Sequence, residues 1–232
     1  MSRLRDEPLL TEAERAGLQG NPWFAALPML VRHDILCHCT VQRHRAQEAV
    51  HAQGESSVRL DAVASGAVGI GLRRPAMPAL EYLPAGTWFV DPSMFGGRER
   101  LHAAAVHGRT TVVSVRGEAL TALVRKHRCL EPALLQLNHE RVAAQFEVLE
   151  ELTSLPLEAR LARCIRRLCD RFGKPEAGAI RIALPLKQDA LADMIRVSRQ
   201  RVNLQLKRLE GAGIIEVSRQ LLVVQPQALA QL

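Results

Sequence analysis

Between Lys187 and Lys207 the chain sets out a run of hydrogen-bonding side chains in an order that suits a polyanion. Arg199, Gln200, Arg201, Asn203, Gln205, Lys207 and Arg208 fall on one side of a helical repeat, with Val202, Leu206 and Leu209 on the other. A guanidinium reaches guanine O6 and N7 or a phosphate, and the amides of Asn and Gln match adenine N6 and N7. An ordinary amphipathic helix with a solvated basic face carries the same pattern, so the preceding residues matter. Leu186, Ala190, Leu191, Met194 and Ile195 repeat at helical spacing, and Arg196-Val197 interrupt them. Ser198 then stands where a hydroxyl accepts from an unpaired N–H at a helix start. Two short helices with a tight break read as a helix-turn-helix. Its candidate DNA contacts are Ser198, Arg199, Gln200, Arg201, Asn203 and Lys207 on the second helix, with Lys187 as a phosphate contact at the start of the first.

The charge distribution favours the polyanion. Residues 1–155 hold 17 basic and 17 acidic side chains, whereas residues 156–232 hold 14 basic and 7 acidic, so the entire formal +7 lies around this motif. Elsewhere the composition excludes more than it assigns. Apolar residues make up 47% of 232, enough for substantial cores and too many for a disordered chain. No apolar run approaches the ~20 residues that span a bilayer. The charged N-terminus lacks the apolar stretch of a signal peptide. Five scattered cysteines do not form a disulfide framework, and the address expected from this is the cytoplasm, with no membrane partner.

The elements that must position the motif can be read in order. Residues 1–20 are a polar lead-in, with a short helix at Thr11–Leu18, and residues 21–39 suit one or two short helices. Ala49–Ala52, Val58–Ala64 and Ala67–Leu72 alternate with period two, with Val58, Leu60, Ala62 and Ala64 on one side. Gly54, Gly66 and prolines 75, 78, 84 and 92 punctuate this region. Glu81–Leu83, Trp88–Val90, Leu101–Val106 and Thr110–Val115 continue the strand character to about residue 117, which predicts a barrel or sandwich over 21–117. Residues 118–155 turn helical. Within Cys129–Thr153, Leu130, Leu134, Leu137, Val142, Phe146 and Leu149 form a stripe that must be buried, against a second copy of the chain or against its own barrel. Pro156 marks a boundary. Over 156–232 a helix at Leu157–Phe172, turn-rich residues 173–178, the helix-turn-helix and strands at Ile180–Leu184, Ile214–Val217 and Leu221–Val224 make a winged helix, with the tip of the wing at Ser218-Arg219-Gln220.

At ALADMIRVSRQRVNLQLKRLEGAGIIEV, and in the order of VHAQGE, VASGAVGI and PAGTWFVDPSMF, the chain resembles the cyclic-AMP receptor protein/FNR family of bacterial transcription regulators. The resemblance spans roughly residues 20–230. It implies an α+β fold: an N-terminal β-roll (a jelly roll of the cyclic-nucleotide-binding kind), a long dimerisation helix and a C-terminal winged helix-turn-helix. It also implies a homodimer through residues 129–153 on a two-fold-related duplex, with half-sites about one helical turn apart, and RNA polymerase as a further partner of an activator. Family members often read bases with Arg-Glu and a further Arg on the same helix; those positions are Arg199, Gln200 and Leu204 here. Gln200 offers both a donor and an acceptor, and Leu204 can only touch a thymine methyl, which implies a different half-site.

The family's cyclic-nucleotide cassette uses Gly-Glu and, further on, Arg followed by Ser or Thr. This chain has Val90-Asp91-Pro92-Ser93 and Arg100-Leu101. Asp91, Ser93 and Arg100 are the candidate effector contacts. Asp91 is a methylene short, Val90 replaces the glycine that lets a phosphate approach, and Leu101 lacks a hydroxyl. Conventional cyclic-AMP binding is therefore not expected, and the effector stays unassigned. Cys37-His38-Cys39 lacks the second pair of a tetrahedral zinc site, and no motif supports haem on His33, His38, His102 or His107, so no metal site is expected. Catalytic signatures such as GxSxG, HExxH or a P-loop do not occur, and a pairing of His102 and His107 near Asp91 is the one arrangement resembling a catalytic site. No catalytic residue, and no enzyme, is expected. The competing reading is a haem- or thiol-sensing module in which specific DNA binding is absent or secondary.

Overall fold

The structure, a computed structural model, describes residues 10–55, 58–71, 79–91, 94, 99–100, 102–218 and 221–230. Ser93, Leu101, Arg219 and Gln220 lie outside them, as do prolines 75, 78 and 92. The chain forms two compact units, the first ending at Ala144 and the second running from Gln145.

The first unit begins with three helices: α1 (Glu12–Gln19), α2 (Pro22–Ala26) and α3 (Met29–Cys37). The Thr11 hydroxyl accepts from Glu14 N–H, and Glu14 Oε2 accepts from Thr11 N–H in return, so α1 starts on a reciprocal cap. At the start of α2 the Asn21 side chain accepts from Phe24 N–H and donates to the Gly86 carbonyl. Six strands follow: β1 (Thr40–His44), β2 (Ala49–His51), β3 (Arg59–Gly71), β4 (Glu81–Pro84), β5 (Trp88–Val90) and β6 (Ala103–Arg116). They pair antiparallel in the order β1-β6-β3-β4, with β2 also on β6 and β5 also on β3.

Two strands expected at 58–64 and 67–72 are one. β3 runs through Ser65-Gly66, where its register against β6 shifts twice. The irregularity flips the strand. Before it, Leu60, Ala62 and Ala64 face the helix-side core and Val63 faces the roll interior; after it, Val68 and Ile70 face that interior. Gly66 has φ +80°, and a Cβ there would lie 2.5 Å from the Arg109 carbonyl, so glycine is required. The pieces expected at 101–106 and 110–115 likewise join into β6. β1 and the helix α4 (Gly117–Lys126) complete the frame.

The helix-side core stacks Phe24 on Trp88 at 4.7 Å and gathers Leu18, Ile35, Leu60, Val113 and Leu120. The helix α5 (Leu130–Ser154) brings Leu130 and Leu134 into it, and the Trp23 indole N–H donates to the Ala133 carbonyl. The predicted stripe therefore divides. Leu130, Leu134 and Leu137 pack on the chain's own first unit, while Val142 is half-buried and Phe146 and Leu149 stand 66% and 53% exposed; Leu135, outside the predicted stripe, is 46% exposed.

The second unit holds α6 (Leu157–Phe172), β7 (Gly173–Glu176), β8 (Ala179–Ile182), α7 (Gln188–Met194), α8 (Arg199–Gly211), β9 (Ile215–Ser218), β10 (Leu221–Val224) and α9 (Pro226–Leu229). Residues 173–176, expected as turn, pair with β8, and the turn contracts to Ala177-Gly178, both with positive φ, the geometry of a tight hairpin. Leu161, Ile165 and Leu168 of α6 form the floor of this unit. Glu151, near the end of α5, accepts from Arg167 and lies 3.6 Å from Arg163. Among the described residues, no helix is long and apolar enough to cross a membrane.

Candidate nucleic-acid interface and roll interior

The helix-turn-helix is α7 and α8. Leu191, Ala192, Met194 and Ile195 of the first, and Val202, Leu206 and Leu209 of the second, are buried together. The break between them is held by backbone: Val197 N–H donates to the Ala192 carbonyl, and Arg196 takes a left-handed φ of +56°. Ser198 is the N-cap of α8 and accepts from Arg201 N–H at 3.4 Å. Sequence reasoning placed that residue correctly.

Arg199, Gln200, Arg201, Leu204 and Lys207 are exposed on α8, and Lys187 is exposed as the residue capping α7. Asn203 differs. It is half-buried, and its Oδ1 accepts from Gln188 Nε2 at 3.4 Å, so its amide joins the two helices. Arg199 leans toward Asp189, Nε to Oδ1 3.6 Å, with both side chains mostly in solvent. Such an exposed pair is worth at most ~1 kcal/mol and yields readily to another acceptor. Behind α8, Glu210 accepts from Val217 N–H, and β9 pairs with β10, Leu221 opposite Ser218, as a wing.

The roll interior is polar where the strands converge. Arg59 donates to Asp61 through Nε at 2.8 Å and Nη2 at 2.5 Å, and to Ser114 Oγ, whose hydroxyl donates to the same carboxylate. Asp91 and Arg100 are both 2% exposed. A solvated Arg100 is thereby excluded: burial lowers its pKa and the Asp61 charge opposes that shift. Val90 also departs from expectation. Its side chain packs in the helix-side core, because the alternation of β5 that turns Phe89 inward turns Val90 outward. It cannot be the branch that fills a phosphate approach.

His102 lies beside Asp91, Nε2 to Oδ2 3.4 Å, but its companion is His51, Nε2 to His102 Nδ1 3.3 Å. His107 instead meets Tyr82 edge-on at 5.1 Å. Burial brings His51 down to about 2, with Arg100 and His102 adding to it. Burial and Arg141 bring His102 down to about 4 against the pull of Asp91. Both rings are therefore neutral. The period-two pattern of β3 could have revealed Arg59 and Asp61, alternate polar residues opposite an apolar face. Nothing local marks His51. His33 pairs with Cys37 Sγ at 3.4 Å and His38 with the Asp34 carbonyl, away from this cluster. Cys164 and Cys169 are buried packing residues whose thiols burial pushes up to about 11.

In chain order the parts are an antiparallel roll, a long helix and a winged helix-turn-helix. The family model described as "Crp-like helix-turn-helix domain" matches residues 159–232. The CRP-like cAMP-activated global transcriptional regulator of Mycobacterium tuberculosis is 28% identical over 176 residues, 72% of this chain and 79% of that protein. Among solved structures, FixK2 from Bradyrhizobium japonicum aligns with TM-score 0.72 at 19% identity, covering 84% of this chain and 96% of its own. The c-di-GMP-responsive global regulator CLP of Xanthomonas campestris aligns with TM-score 0.70 at 18% identity, covering 85% and 99%. Residues 159–232 match a Crp-like helix-turn-helix domain, and the chain is similar in sequence to a CRP-like transcriptional regulator and in fold to these solved regulators.

Proposed function

We propose that the protein is a homodimeric, sequence-specific regulator that reads a two-fold-related duplex through α8. One observation carries this. On a helix capped by Ser198, the apolar side chains Val202, Leu206 and Leu209 are buried while Arg199, Gln200, Arg201, Leu204 and Lys207 all face solvent. Arg199 and Gln200 sit in the first turn and read base edges, Leu204 meets a thymine methyl, and Lys187, Ser198, Arg201 and Lys207 hold phosphates. Asn203 acts after releasing Gln188, or braces the two helices.

The dimer forms along α5 beyond its buried first turns. Leu135, the half-buried Val142, Phe146 and Leu149 follow one another at heptad-like steps of 7, 4 and 3, which lets two copies interlock. The division proposed is a sensor over residues 21–117, dimer helices over 118–155 and the DNA-binding domain over 156–232. The sensor is not a conventional cyclic-AMP site, since buried imidazoles crowd Asp91 and Arg100. Should the protein activate, RNA polymerase is its further partner.

The test is selection of bound sequences from random duplex DNA by purified protein, with and without cyclic AMP. A palindromic motif recovered without nucleotide is expected. A motif that appears only with cyclic AMP overturns the sensor reading. Salt-sensitive binding with no enriched motif overturns sequence-specific recognition.

A further inference from the structure

The strongest unexplained chemistry lies inside the roll, where β2, β5 and β6 end close together. We propose that His51, Asp91 and His102 form a binding site for one divalent transition-metal ion of the zinc or ferrous type. Each residue offers one ligand atom, and the three atoms lie within 4.8 Å of one another, all on buried side chains.

The spacing suits an ion. A tetrahedral ion with ligands at ~2.0–2.1 Å holds them roughly 3.3 Å apart. One pair has that separation, His51 Nε2 and His102 Nδ1 at 3.3 Å; Asp91 Oδ2 lies 3.4 Å from the other nitrogen of the His102 ring, and with one atom from each residue the set of three stays within 4.8 Å. Two nitrogens of the group also lack a hydrogen bond. His51 Nδ1 and His102 Nε2 are buried without a hydrogen-bond partner among the described residues, and buried polar atoms are nearly always satisfied. Two imidazoles and a carboxylate select borderline first-row ions over calcium or magnesium, which prefer all-oxygen shells.

Arg59 is held by Asp61, and Arg141 Nη2 lies 3.8 Å from Glu81 Oε2. The pattern differs from a Cys-based centre, because no thiol belongs to the group. Its regulatory consequence rests on the reading of the first unit as a sensor: an ion here joins the ends of three strands.

The experiment uses metal-stripped full-length protein titrated with cobalt(II) and zinc(II), and with ferrous ion under anaerobic conditions. One ion per chain is expected, with cobalt d–d bands and no thiolate charge-transfer band. His51→Gln and His102→Gln should each weaken binding on the order of a hundredfold or more, since even outer-shell losses cost 10–100-fold. The Cys37→Ser/Cys39→Ser double variant should bind as the parent does. X-ray absorption at the metal edge of the unaltered protein needs no variant; a nitrogen/oxygen shell with imidazole scattering is expected. A sulfur shell, binding indifferent to both histidine variants, or no stoichiometric binding overturns the site. Operator affinity with and without zinc separates the two readings. Binding at the triad with unchanged operator affinity keeps the site and sinks its sensory role. Operator binding by a protein that takes up no ion does the reverse, removing the metal and leaving the regulator.

Discussion

The second unit displays its polar chemistry outward on one helix, whereas the first unit gathers its polar chemistry inward from strands far apart in the chain. Arg199, Gln200, Arg201, Leu204 and Lys207 fit within three turns of α8 and need only that helix to be placed. Arg59, Asp61, His51, Asp91, Arg100 and His102 come from four strands or strand ends and are all 7% exposed or less. An exposed helix face tolerates exchange of single side chains without loss of fold. A buried polar cluster does not, because its members stand in for water to one another.

The largest test of that difference is Asp61→Ala. It strands the Arg59 guanidinium in the roll interior and should cost ~3–5 kcal/mol. Trp23 and Trp88, the two tryptophans, both lie in the first unit, so the urea midpoint followed by tryptophan fluorescence reads the loss. Arg199→Ala should leave that midpoint within ~0.5 kcal/mol of the parent. A midpoint that stays put in Asp61→Ala would show the pair to be replaceable by water.

Helix α5 carries the same contrast along a single element. Leu134→Ala removes a side chain with no exposed surface and should lower unfolding free energy by ~2–5 kcal/mol. Phe146→Ala, two-thirds exposed in the single chain, should scarcely change the unfolding of that unit. It should instead weaken self-association by about tenfold or more, ~1.4 kcal/mol, read by sedimentation equilibrium. Unchanged self-association would mean that the exposed half of α5 is not the dimer seam.

These elements also show what the sequence could reveal. α6 runs over the residues expected, 157–172, and Ser198 caps α8, because helical periodicity and capping are local signals. The single β3 was not legible as such: the flip at Ser65-Gly66 breaks period-two alternation, and only the β6 partner shows that pairing continues. The stripe on α5 was visible, but its division between the chain's own core and solvent depends on where the roll lies. Arg100 is singled out only by its match to the family's cassette, and nothing in GGRER marks it as buried, which it is. His51 had no pattern at all, since what distinguishes it is His102, which lies 51 residues away in the chain.

On DNA the sharper test is a pair of variants. Arg199→Ala should cost ~1–3 kcal/mol on the selected operator and relax preference at one base pair, while Lys187→Ala should weaken operator and random duplex alike and lower the salt slope by about one. Competition assays at several salt concentrations separate the two. Equal losses on operator and random DNA for Arg199→Ala would remove it from base reading.

Acid brings out the buried side more mildly. Burial raises the Glu14 pKa, but hydrogen bonds from the Thr11 backbone and from Thr111, Ser65 and Thr11 hydroxyls outweigh it and hold the carboxyl at about 2 against 4.5. Its folded pKa is depressed, so its contribution is complete above about 4.5 and is lost as pH falls through about 2. Glu14→Gln should cost on the order of 2 kcal/mol at neutral pH and flatten the fall in stability across that window. Thermal melts at stepped pH read this, and an unaltered slope would remove Glu14 as its source.

The smallest effect is expected from Ser198→Ala, about 0.5–1 kcal/mol of stability, the low end for an N-cap. Its one hydrogen bond, to Arg201 N–H, is long at 3.4 Å, whereas the Thr11 cap of α1 is closed reciprocally by Glu14. A small loss on folding should nevertheless accompany a similar uniform loss on DNA, because the same hydroxyl and the freed N–H groups of the first turn face the place where a phosphate would sit. Far-UV melts and filter binding to operator and random duplex measure both. A folding loss with no change on either DNA would confine Ser198 to holding its helix, and would shift the phosphate contacts to Arg201 and Lys207.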